Sequence, residues 1–175
     1  SGKWVEVATQ FGETVGVLGD NKKQKAKQAL AIQPSTRFVV TNYETLSAGI
    51  KELDDGHWDT ILVDEAQAFQ GRRSQRSGGF KKIARKADQV YLLTATPVWN
   101  QPDSLWNLLN ILYPNHYSSY WRFVDKYCEV RKTPFGTEIK GPKDYMLPML
   151  RDEIRPFLLR REKKDVPGFL ERTTE

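Results

Sequence analysis

Between residues 14 and 115, short apolar runs alternate with stretches in which apolar residues recur every third or fourth position. "TVGVLG" (14–19), "RFVVTNY" (37–43), "TILVDE" (60–65) and "QVYLLTAT" (89–96) are rich in aliphatic and β-branched residues, and each predicts a strand. Between them, "DNKKQKAKQALAI" (20–32) has a capping Asp20 or Asn21 and then Ala26, Ala29, Leu30 and Ile32 at helical spacing. "ETLSAGIKEL" (44–53) puts Leu46, Ile50 and Leu53 on one face with Tyr43, and "SLWNLLNIL" (104–112) does the same with Leu105, Leu108, Leu109 and Leu112. Continuous apolar strands following one another through helices imply a parallel sheet covered on both faces, an α/β fold.

Past Pro114 the pattern changes. "SSYWRFVDKYCEV" (118–130) reads as an aromatic amphipathic helix with Tyr120, Phe123, Val124 and Tyr127 on one stripe, and core packing explains that stripe better than a ligand. "RKTPFGTEIKGP" (131–142) predicts a hairpin or loop, and "LPMLRDEIRPFLLRREKKDV" (147–166) a helix broken at Pro156. The expected division is an α/β lobe over residues 1–115 and a helical protrusion with a closing segment over 116–175.

Composition narrows the class. Of 175 residues, 39% are hydrophobic and 28% charged, which is globular and leaves disorder without support. No apolar run approaches a membrane span and no secretory leader pattern is present, so the expected setting is cytoplasmic or DNA-associated (nucleoid or nucleus), neither membrane-bound nor secreted. One cysteine and two histidines argue against a zinc site. A net charge of +5, with Arg72, Arg73 and Arg76 in a Gly/Ser-rich stretch and Lys81, Lys82, Arg85 and Lys86 following on a predicted helix, suits a polyanionic partner or a plain solvated face. Gly78 and Gly79 are expected to let that stretch flex.

The chemistry concentrates at strand tips. "TILV" runs straight into Asp64 and Glu65, and two adjacent carboxylates repel by roughly 1 kcal/mol even in water. A cation removes that cost, and ligands of open α/β sheets sit at the carboxyl ends of strands. Thr94 and Thr96 end a second strand, and Thr41 and Asn42 end a third just before a helix start.

These motifs together resemble the first ATPase lobe of Swi/Snf-type DNA translocases, in helicase superfamily two. "VDEAQ" (63–67) matches that family's Asp-Glu box, "LLTATPVWNQPDSLWNLLNILYP" (92–114) its long third motif, "VVTNYETL" (39–46) its DNA-backbone motif, and "IRPFLLRREKKDV" (154–166) the close of its first lobe. The resemblance implies a partial RecA-like sheet. It also implies that Asp64 holds Mg²⁺, that Glu65 orients the attacking water, that Gln67 belongs to the catalytic set as a hydrogen-bonding group that cannot be protonated, and that Thr94 and Thr96 couple hydrolysis to movement. Thr41, Asn42, Tyr43, Asn100 and the three arginines would face double-stranded DNA.

Three departures qualify it: Gln67 stands where His is usual, Ala95 where Gly is usual, and the 175 residues contain no Gly-x-x-x-x-Gly-Lys-Ser/Thr phosphate loop. The expectation is therefore a truncated first lobe, lacking its phosphate loop and its second lobe. Such a piece would bind duplex DNA weakly, hold neither ATP nor Mg²⁺ tightly alone, and tend to self-associate through an exposed sheet edge. The alternative is a non-catalytic nucleic-acid-binding or protein-interaction module on the same scaffold.

Overall fold

The computed structural model describes residues 2–13, 15–18, 35–47, 53, 56–95 and 102–160. In chain order these form α1 (Gly2–Gln10), β1 (Val15–Val17), β2 (Phe38–Val40), α2 (Tyr43–Ser47), β3 (Trp58–Val63) and α3 (Gln75–Ala84). They continue as β4 (Ala87–Leu92), α4 (Pro102–Leu112), α5 (Tyr120–Tyr127), β5 (Cys128–Thr133), β6 (Gly136–Pro142) and α6 (Leu147–Ile154). The predicted helix over 20–32, residues 48–52 of the next one, and 161–166 lie outside the described residues.

The strands pair in parallel, as the βαβα order requires. β1 joins β2 with Gly16 opposite Val39, and β3 joins β4 with Ile61 opposite Val90 and Val63 opposite Leu92. Val63 is buried, and Ile61, Val90 and Leu92 pack with it against Phe69, Phe80, Ala84, Leu108 and Ile111. Each fully buried side chain of this size contributes about 1.5–3 kcal/mol, so this face anchors the strand pair. On the other face Leu62 and Tyr91 are 54% and 49% exposed, so the apolar runs are not covered on both sides as their composition predicts.

α4 serves two layers. Its Leu108 and Ile111 enter the α/β core, while Leu105, Trp106 and Leu109 enter a second cluster with Tyr117, Phe123, Tyr127, Leu150 and Ile154. The aromatic stripe is thus core, with Tyr120 packed at its margin and Val124 buried. α5 stops at Tyr127, three residues earlier than its pattern predicts. Cys128 is already extended (φ −117°, ψ 145°), and Cys128–Val130 are drawn into the β5–β6 hairpin, where Cys128 faces Pro142 and Val130 faces Ile139. α6 ends at Ile154, two residues before Pro156, as expected of a helix approaching proline.

Glu153 fastens this second layer. Its carboxylate accepts from Tyr117 Oη (3.0 Å), His116 Nε2 (3.3 Å), Lys126 Nζ (2.8 Å) and Tyr127 Oη, joining α6 to α5 and to the turn before it.

Two local features depart from the sequence reading. Residues 2–10 form a helix that no pattern signalled. Gly78 and Gly79 do not make a flexible loop; both lie inside α3. A Cβ on Gly79 would stand 2.8 Å from the Leu46 carbonyl oxygen of α2, whereas one on Gly78 would meet nothing within 4 Å. Gly79 is there for close helix approach, the other physical use of a residue without a side chain.

Candidate active site

The tips of β3 and β4 are locked to each other by backbone. Leu93 N donates to Val63 O (2.7 Å), and Ala66 N donates back to Leu93 O (2.8 Å). Between these two bonds the chain turns sharply through Asp64 and Glu65. Glu65 adopts φ 51°, ψ 50°, and among the described residues it is the sole non-glycine with positive φ. That conformation costs an L-residue roughly 1–2 kcal/mol. It is held because Ala66, fully buried, is pinned to β4, and because Glu65 N donates to Asp64 Oδ1 (3.0 Å) and Glu65 O accepts from Ala68 N (3.0 Å). The strain turns the strand directly into the 3₁₀ turn Ala66–Phe69 and leaves both carboxylates exposed at the tip.

Side chains then link the two tips. Thr94 Oγ1 donates to Gln67 Oε1 (2.7 Å), and Gln67 Nε2 donates to Glu65 Oε2 (2.5 Å). The residue that replaces the usual His bridges the second strand tip to the Asp-Glu pair. Asp64 Oδ2 accepts from the indole Nε1 of Trp4 on α1 (3.3 Å), a partner 60 residues away that no local pattern could reveal.

A third strand tip closes on the same place. Thr41 and Asn42 follow β2 and are half-buried, with Asn42 O accepting from Leu46 N at 3.4 Å. Tyr43 stands edge-on to Phe69 with ring centroids 4.8 Å apart. Burial raises the Tyr43 hydroxyl above its ordinary value, the charges of Asp64 and Glu65 push the same way, and Arg76 opposes them. Tyr43 therefore lies within electrostatic reach of the pair.

Of the three arginines, two are held within the molecule. Arg72 stacks over the Tyr120 ring at 4.0 Å, and Arg76 pairs with Glu44 at 3.2 Å. Arg73 is exposed. Thr96 and Asn100 lie outside the described residues.

Sequence reasoning missed the polar cluster beneath the turn. Asn107 on α4 is fully buried; its Nδ2 donates to Phe69 O and to Ser77 Oγ (3.1 Å), and its Oδ1 accepts from Lys81 Nζ (2.6 Å). Burial, then the Arg85 charge, lowers the Lys81 ammonium from its usual range. This cluster anchors the far end of the 3₁₀ turn that begins after Glu65. A signal was present in the polar residue set among the leucines of "SLWNLLNIL".

A family model described as SNF2-related domain matches residues 3–175. The chain belongs to the SNF2-related domain family. Among curated proteins, Helicase ssl-1 of Caenorhabditis elegans is 29% identical over 180 residues, which is 99% of this chain and 7% of that protein. The lymphoid-specific helicase of Homo sapiens is 31% identical over 81% of this chain and 17% of its own length. Chromodomain-helicase-DNA-binding protein 6 of Homo sapiens is 31% identical over 73% of this chain and 4% of its own. The chain spans a small part of each. Among solved structures, the Sulfolobus solfataricus SWI2/SNF2 ATPase core in complex with dsDNA superposes with a TM-score of 0.73 at 24% identity, over 97% of this chain and 33% of that one. The RecA-like α/β fold expected from the motifs is thus the fold of the SNF2 ATPase core. In this family member Asp64 and Glu65 on one side and Thr94 on the other occupy the adjoining tips of β3 and β4.

No helix among the described residues is long and apolar enough to cross a membrane.

Proposed function

We propose that this SNF2-family chain forms part of the first motor lobe of an ATP-dependent double-stranded DNA translocase, contributing the Asp-Glu box and the third motif. The observation that carries the reading is the path from Thr94 through Gln67 to Glu65 across two adjoining strand tips. Asp64 suits a Mg²⁺ ion held through water. It is exposed, and each carboxylate oxygen accepts one hydrogen bond, which leaves a lone pair on each. Bound there, the ion would neutralise charge developing on a transferring phosphoryl group. Glu65, fixed by its backbone turn and by Gln67, orients the attacking water. Gln67 passes any displacement of the Glu65 carboxylate to Thr94 on the neighbouring strand, and Thr96, two residues on, is the proposed continuation. The 175 residues contain no Gly-x-x-x-x-Gly-Lys-Ser/Thr sequence, and the reading therefore assigns none of them to the nucleotide phosphates.

The DNA-facing assignment extends to Thr41, Asn42, Tyr43 and Asn100, with Arg73 the arginine best placed among the three. The relative in complex with dsDNA supports duplex DNA as the partner.

The test is a pair of measurements on this chain. It is expected to show no ATP turnover above background. Duplex binding followed by anisotropy against salt should be weak, with a shallow negative slope because few phosphates are neutralised. Arg73→Ala should reduce that slope by about one. Magnesium-dependent turnover lost in Glu65→Gln would place the phosphate-binding groups within these residues and overturn the proposed division of labour. A salt-insensitive interaction would remove the DNA assignment.

A further inference from the structure

At the ends of β3 and β4 opposite to the Asp-Glu pair, His57, Asp59 and Asp88 converge. Asp59 and Asp88 occupy neighbouring positions on parallel strands, between the pairs Trp58–Ala87 and Thr60–Gln89. Like charges side by side across a strand pair are destabilising, and both of these carboxylates are exposed. His57 immediately precedes β3, and its Nε2 lies 3.2 Å from Asp88 Oδ2. One ligand atom from each of the three residues lies within 4.8 Å of the other two.

We propose that His57, Asp59 and Asp88 bind a divalent transition cation of the Zn²⁺ or Co²⁺ kind, which staples the first residues of β3 to those of β4. The donor set selects the class: an imidazole nitrogen suits zinc, cobalt, nickel or copper, while magnesium and calcium take oxygen alone. Tetrahedral bonds of about 2.0–2.2 Å hold ligand atoms ~3.4 Å apart. The three ligand atoms, within 4.8 Å of one another on exposed side chains, would have to draw closer to hold the ion. Two carboxylates and a neutral imidazole balance the ion's charge, so the repulsive pair becomes a bridge. Three protein ligands leave the remaining positions to water, and the site uses one of the two histidines with two carboxylates, a donor set that the expectation drawn from the low count of Cys and His did not anticipate. The site is independent of the ATPase reading, although the strands it would join carry Asp64 and Thr94 at their other ends.

The competing account is an imidazolium–carboxylate cluster that needs no metal. Calorimetric titration of the untagged chain with Zn²⁺, and visible absorption with Co²⁺, separate the two. The expected result is one saturable site, weakened at least ~10-fold in each of His57→Gln and Asp88→Asn. Zn²⁺ at a hundred times its dissociation constant should shift the wild-type folding equilibrium about 100-fold and leave His57→Gln unmoved. Because all three positions are exposed, melting without metal reports whether each variant folds, and Asp59→Asn supplies a third. Absence of saturable binding overturns the proposal, as does equal affinity in wild type and both variants, or loss of binding in Asp64→Asn alone.

Discussion

Replacing Glu153 with Gln should destabilise the chain at neutral pH and cost far less in acid. Burial by itself would raise the pKa of this carboxyl. The hydrogen bonds from Lys126, Tyr127, Tyr117 and His116 more than offset that, and bring it down from 4.5 to about 2. The difference is worth ~3 kcal/mol of preference for the charged form in the folded state. Lys126 is 43% exposed, and solvent screening of that partner reduces the expected contribution to about 2 kcal/mol. The sign follows from a folded-state pKa below the unfolded one. The contribution is complete above about pH 4.5 and is lost as pH falls toward 2. Glu153→Gln keeps the size and one acceptor, but it removes the charge and turns an amide N–H₂ toward groups that are themselves donors. Urea unfolding followed by tryptophan fluorescence at pH 7 should show the variant less stable by about 2 kcal/mol, with the gap closing to a few tenths at pH 2.5. An equal loss at both pH values would mean that Glu153 acts through packing alone. No loss at pH 7 would mean that its four contacts are solvated pairs of no consequence.

Gly79→Ala should lower stability by about 1–3 kcal/mol, because the added methyl meets a backbone carbonyl at 2.8 Å that cannot move without shifting α2. Gly78→Ala, one residue away in open space, should be neutral or stabilising by up to about 1 kcal/mol through helix propensity; thermal melts that fail to separate the two would refute the close-approach reading. The half-exposed Leu62 and Tyr91, together with β4, whose one strand partner among the described residues is β3, should promote self-association at high concentration. Light scattering should show a concentration-dependent mass that Tyr91→Lys returns toward monomer, and a monomeric wild type at millimolar concentration would show that this surface is not sticky.

What the sequence made legible was set by its local period. Runs such as "TILV" and "VYLL" announce strands because their neighbours are polar, and the abrupt Asp64-Glu65 pair marks a strand tip because nothing else there explains two carboxylates. Properties that depend on distant partners were hidden. Glu153, in "LRDEIRPF", looks like one surface charge among several until the fold gathers four donors around it. Gly78-Gly79 looks like a hinge because glycine's freedom is visible in sequence, whereas the Leu46 carbonyl that excludes a side chain at Gly79 lies 33 residues away. The early end of α5 has the same origin: Cys128–Val130 fit a helix locally and are taken by a hairpin whose second strand lies further on.

Gln67 joins the two kinds of information. Its residue type already implied a group able to donate and accept without titrating. The fold decides which atom does which. The Glu65 carboxylate can only accept, so the amide N–H₂ must face it, and Oε1 is left for the Thr94 hydroxyl. A histidine making both contacts would have to hold one tautomer, and on protonation both its nitrogens would become donors, so its acceptor contact with Thr94 would be lost. The amide has no such state. The link between the two strand tips therefore has no titrating group at its centre, and what joins Thr94 to the Asp-Glu pair is an amide whose donor and acceptor ends are fixed by its two partners.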